Sequence, residues 1–106
     1  MIGMAAELTV ISWRDIPLQL LAKSGRDSAR ALLSDRFQEA VDASAMVAGL
    51  IGSDDYTEQM RMDRRPCGDD LAAEVEAARA KLEAEWTDDV LRATIRAGGI
   101  RGGGDV

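Results

Sequence analysis

By residue type, the position best suited to covalent chemistry is Cys67, which stands in the run Arg64, Arg65, Pro66, Cys67, Gly68, Asp69, Asp70. A thiol just ahead of a helix N-terminus and beside two arginines would have its thiolate stabilised, which is how reactive cysteines are made. Asp69 and Asp70 oppose a negative sulfur, and a single cysteine serves more often as a small core residue. Asp54 with Asp55, Asp69 with Asp70, and Asp88 with Asp89 are acidic pairs of the kind that hold hard cations. Neighbouring residues on a helix point apart and cannot chelate one ion, and each pair falls at a predicted helix start, where capping and the helix dipole account for it. No metal site and no cofactor are therefore expected. Lys23, Arg26, Arg30 and Arg36, with Arg14 nearby, form a basic set that could receive a carboxylate or phosphate, or could simply be solvated. Trp13, Arg14 and Asp15 lie in the run S-W-R-D-I-P at 12–17. Because Trp and Arg are enriched among interface hot spots, they could present an exposed partner-binding surface. Equally, Trp13 could cover the core while Arg14 and Asp15 satisfy a turn.

The rest of the composition narrows the field of functions. There is no histidine, which excludes Ser-His and Cys-His catalytic sets and histidine-based zinc sites. With one cysteine, neither an internal disulfide nor a C-x-x-C pair can form. The net charge of −6 argues against a general nucleic-acid binder, which needs clustered Lys and Arg to neutralise phosphate. No apolar run approaches the roughly 20 residues of a membrane span, and the first residues lack the basic and apolar regions of a signal peptide. A cytoplasmic protein with no membrane association is the expectation. At 106 residues, 46% of them apolar and only four aromatic, the chain suits one domain with a core of small side chains.

The elements that must position these residues follow from periodicity. Leu8, Val10 and Ser12 alternate with Thr9, Ile11 and Trp13, the period-two signature of a strand over 7–14. Asp15 and Pro17 supply turn chemistry, and a second strand follows over 18–23. Residues 29–33 fit a third strand, since a lone hairpin is marginal in water. Ser34 is a predicted helix N-cap, with Phe37, Ala40, Val41, Ser44, Val47 and Ala48 as the buried stripe and Gly49 as terminator. Ser53 is predicted to cap a short helix reaching about Met60, and 61–66 reads as an exposed connector, with a short extended segment around Met60 and Met62 as the competing reading. A helix beginning at Gly68 or Asp69 carries Leu71, Val75, Ala78, Leu82 and Trp86. Thr87 caps a last helix closed by Gly98 and Gly99. The expected fold class is α+β: a small N-terminal antiparallel sheet of two or three strands, covered by three to four following helices. The expected organisation is a disordered lead at 1–6, a single domain at 7–98 and a disordered Gly-rich tail at 99–106.

Four motifs taken together carry a resemblance: S-W-R-D-I-P at 12–17, L-S-D-R-F-Q-E-A-V-D at 33–42, A-G-L-I-G-S-D-D-Y at 48–56 and P-C-G-D-D-L at 66–71. In order and spacing they resemble a family of short bacterial proteins labelled virulence factor, after a domain in a conserved staphylococcal virulence protein. The resemblance implies an accessory role beside corrinoid-dependent methyltransferases and folate enzymes of one-carbon metabolism. It transfers no catalytic residue. The expected function is therefore a non-enzymatic accessory protein acting through protein contacts, its partner a methyltransferase or folate-enzyme subunit, with a homo-oligomer left open. The alternatives are a thiol-dependent carrier or enzyme centred on Cys67 and a binder of an anionic small molecule at Lys23, Arg26 and Arg30.

Overall fold

Period-two alternation in the first third of the chain builds three strands in succession. The computed structural model describes residues 6–50 and 54–101. In it β1 (Glu7–Trp13), β2 (Ile16–Ser24) and β3 (Asp27–Leu32) form an antiparallel meander. Leu8, Leu20 and Ala22 are fully buried on one side, joined by Ala29 and Ala31 from β3. The register slips between Ile11 and Ser12, so that Ser12 pairs with Pro17 and Trp13 with Ile16. That irregularity lets β2 begin two residues earlier than predicted and include Pro17, which as an imino acid donates nothing to a regular ladder.

The helical half follows as α1 (Asp35–Ala48), α2 (Asp54–Glu58), α3 (Leu71–Glu85) and α4 (Asp88–Arg96). Between α2 and α3 the chain does not run as a connector but follows the competing reading, an extended segment that includes Met60 and Met62. Met60–Pro66 is a strand, β4, lying antiparallel to β1, so the sheet order is β3-β2-β1-β4. The fold is thus α+β, with four strands and four helices among the described residues rather than two or three strands. Helix α3 packs on β2 and β3, and α1 on β2 and α4. Phe37, Val41 and Ala45 of α1 and Leu71, Val75 and Ala78 of α3 complete the core. The boundaries also shift: Ala6 is buried, and Gly99 and Arg101 make bonds to the β1–β2 corner. The predicted Ser53 cap and the tail beyond Arg101 lie outside the described residues.

Arg36 has a structural role. Its guanidinium donates to the carbonyl oxygens of Trp86 and Glu83 and to the carboxylates of Glu83 (3.1 Å) and Asp88 (3.3 Å), pinning the start of α1 to the α3–α4 junction. Ser34 precedes α1 in extended conformation, but its side chain makes no capping bond. Instead its N–H and hydroxyl both donate to the Glu83 carboxylate, at 2.7 and 3.0 Å. Burial pushes the Glu83 carboxyl up, but the bonds from Ser34 and the charge of Arg36 outweigh it and hold the group below its ordinary value. A carboxylate depressed in the fold stabilises it fully above the unfolded value, near 4.3, and that stabilisation is lost as pH falls through the folded value. Replacing Glu83 with Gln should therefore destabilise the protein near neutrality, and the gap from wild type should narrow as pH falls below the unfolded value of about 4.3 in urea melts taken across pH. A gap constant with pH would contradict this role.

Candidate functional site

The β1–β2 corner, where sequence reasoning placed a contact surface, is mostly internal architecture. Trp13 is 0% exposed. Its indole N–H donates to the Tyr56 carbonyl at 2.8 Å, its ring lies 5.5 Å from that of Tyr56, and Gly99 approaches its other edge. The reading of Trp13 as an exposed hot spot is corrected, because α2 and the segment after α4 close over it. Arg14 sits in the left-handed region at φ 49°, a conformation that costs a non-glycine residue energy and persists only where surroundings impose it. Here its N–H donates to the Gln59 carbonyl, its Nε to the Gln59 side chain at 3.0 Å and its Nη1 to the Gly98 carbonyl at 2.8 Å, and the guanidinium lies over the Trp13 ring. Asp15 accepts from Arg61 (2.9 Å) and from the Arg101 N–H (2.8 Å), while its own N–H donates to the Gly99 carbonyl. The dense S-W-R-D-I-P run is the joint at which β1, β2, β4 and the end of α4 meet.

Cys67 is half-buried, and its N–H donates to the Ala6 carbonyl. Of the two readings, the structure favours the inert one: desolvation pushes the thiol up, and Glu74, Asp69 and Glu7 add to this against the opposing charge of Arg65. The N-terminus of α3 is already capped by the Asp70 carboxylate, which accepts from the Ala73 N–H. Alkylation of Cys67 by iodoacetamide at neutral pH should proceed more slowly than that of free cysteine, followed by intact mass; a faster reaction would revive the thiol chemistry. Among the described residues, no group of three or more acidic or cysteine side chains is gathered that could hold a metal, and no helix is long and apolar enough to cross a membrane.

The basic set is split. Arg36 is consumed in its clamp, and Arg26 lies exposed at the β2–β3 turn. Lys23 and Arg30 stand on the face of the sheet that α1 and α3 leave uncovered, where they form no ion pair among the described residues. Register places a third cation, Arg64 of β4, on this same face, together with Thr9, Leu21 and Met62. The result is a shallow hollow of about 750 Å³. One row across the four strands reads Leu32, Gln19, Ile11, Met62, and the next reads Arg30, Leu21, Thr9, Arg64. Leu32 is 69% and Met62 60% exposed. Sequence reasoning missed this surface, although a signal was present: Ile11, Leu21 and Leu32 give each of the first three strands one large apolar residue on the face away from Leu8, Leu20 and Ala31.

An α+β protein with an antiparallel sheet covered by helices on one side and, among the described residues, by none on the other is the class these features define. The chain belongs to the virulence factor family, whose profile matches residues 11–95. Searches of curated proteins and of solved structures find no match to the chain.

Proposed function

We propose that this chain is a non-enzymatic accessory protein that acts through protein contacts, and that the uncovered face of its sheet is the contact surface. The observation that carries the reading is the row Leu32, Gln19, Ile11, Met62, exposed at Leu32 and Met62 and half-buried at Ile11, across a face that α1 and α3 leave free. Large apolar side chains grouped in this way mark interaction sites, whereas scattered ones are ordinary. The buried Trp13, the internally bonded Arg14 and the raised thiol of Cys67 supply no competing centre. On the motif resemblance alone, the reading extends to a cytoplasmic accessory of corrinoid- or folate-dependent methyl transfer, with a methyltransferase or folate-enzyme subunit as partner. Purification of the tagged chain from its source cells tests the function. The expected result is a defined partner retained at fixed stoichiometry through size exclusion, and recovery of the chain alone would overturn it.

A further inference from the structure

We infer that the occupant of the open sheet face is an acidic amphipathic helix of a partner protein, with its apolar stripe over Leu32, Ile11 and Met62 and its carboxylates along one flank. This rests on the docking reading above and adds the chemistry of the partner. The cations on the face are one-sided: Arg30 and Arg64 end the row adjoining the apolar one, and Lys23 stands in the row beyond, diagonal to Arg30. Glu7 is the acidic residue that register places among them. On a chain of net charge −6, a face with three cations and one acid is a local inversion of sign, and complementary charge is what selects partners and steers encounter.

Two other occupants fit less well. Arg30 and Arg64 lie on the outer strands, three strand spacings or about 14 Å apart, and Lys23 and Arg64, which line one hollow, share it with the Glu7 carboxylate, which repels a compact anion. A second copy docking by this same face would offer Lys23, Arg30 and Arg64 only Glu7 as a carboxylate, leaving most of their charge without a complement. A helix suits the dimensions. At about 1.5 Å per residue it spans the row from Leu32 to Met62 in about ten residues, so that carboxylates two to three turns apart reach the Arg30–Lys23 pair and Arg64. A helix is also what the protein uses to cover the other side of the same sheet.

The test uses two synthetic helical peptides with the same leucine stripe, one flanked by glutamates and one by lysines, titrated into the ¹⁵N-labelled full chain. The glutamate peptide should shift the amides of Ile11, Leu21, Leu32 and Met62, bind more weakly as salt is raised, and lose about tenfold in affinity to the Arg30→Glu, Arg64→Glu double variant. The lysine peptide should bind that variant better than wild type. Equal binding of the two peptides, binding of neither, or shifts confined to the outer edge of β4, as in strand addition, would overturn the inference. Its failure is distinguishable from failure of the docking reading. If a natural partner is captured, and lost on Met62→Asp but kept on Arg30→Glu with Arg64→Glu, docking stands and the acidic helix falls. If Met62→Asp changes nothing, docking itself falls.

Discussion

Replacing Trp13 with alanine should cost about 4 kcal/mol, the upper part of the range for removing a large aromatic from a core, and lower the thermal midpoint by about 20 °C. Its ring is fully buried between Tyr56 and Gly99 and belongs to the same core cluster as Phe37 and Trp86. The corner that depends on it also fastens β4 and the C-terminal segment, because Arg14 and Asp15 bond to Gln59, Arg61, Gly98 and Gly99. Trp13→Phe keeps most of the volume but leaves the Tyr56 carbonyl with only the 3.3 Å bond from the Gln59 N–H, and should cost about 1 kcal/mol. Thermal and urea melts of both variants check the order. An alanine variant as stable as the phenylalanine variant would show that the ring is not the keystone of the corner.

Gly99→Ala should be the most damaging of the glycine substitutions, at about 3 kcal/mol. At φ +99° the backbone already disfavours a side chain, and an added Cβ would come within 2.7 Å of Trp13 Cζ3 and 3.2 Å of Cε3. The indole cannot retreat, because its other edge rests on Tyr56 and its N–H is bonded there. Gly49 is the control: at φ +75° it caps α1, but nothing lies within 4 Å of the Cβ position, so Gly49→Ala should cost only about 1 kcal/mol of backbone strain. Melts should separate the two, and near-ultraviolet circular dichroism should show a disturbed Trp13 only in the Gly99 variant. Equal costs would mean that the contact with Trp13 carries no weight.

How much of this could be read from residue order depends on how local the determining physics is. Strand β1 announces itself by alternation, β2 by the turn chemistry before it, β3 by the need of a hairpin for a third strand, and α4 by the Thr87 cap, whose hydroxyl accepts from the Val90 N–H. Strand β4 shows itself only faintly, through the Met60 and Met62 alternation that supports an extended segment as a competing reading, because M-R-M-D-R-R-P has no buried face. All seven of its residues are exposed, and only hydrogen bonding to β1 defines it. The status of Trp13 was undecidable for a similar reason: what buries it is Tyr56, 43 residues away, and Gly99 at the far end of the chain. Arg36 looked like an anion ligand because its partners Glu83, Trp86 and Asp88 are brought to it only when α3 packs on the sheet. The open face was legible in part, through Ile11, Leu21 and Leu32 on the first three strands. Arg64 joined it only once β4 took its place beside β1.

The central claim is that the uncovered sheet face is the working surface of the protein, and a quantitative capture experiment addresses it most directly. The wild-type chain and a Leu32→Asp, Met62→Asp double variant, both tagged, are expressed in the source cells and purified in parallel, with thermal melts confirming equal folding. Both substituted side chains are more than half exposed, so the fold should not change. The account predicts a partner held at fixed stoichiometry by the wild type and reduced at least tenfold in the variant. Equal recovery of the same partner by both proteins would contradict it.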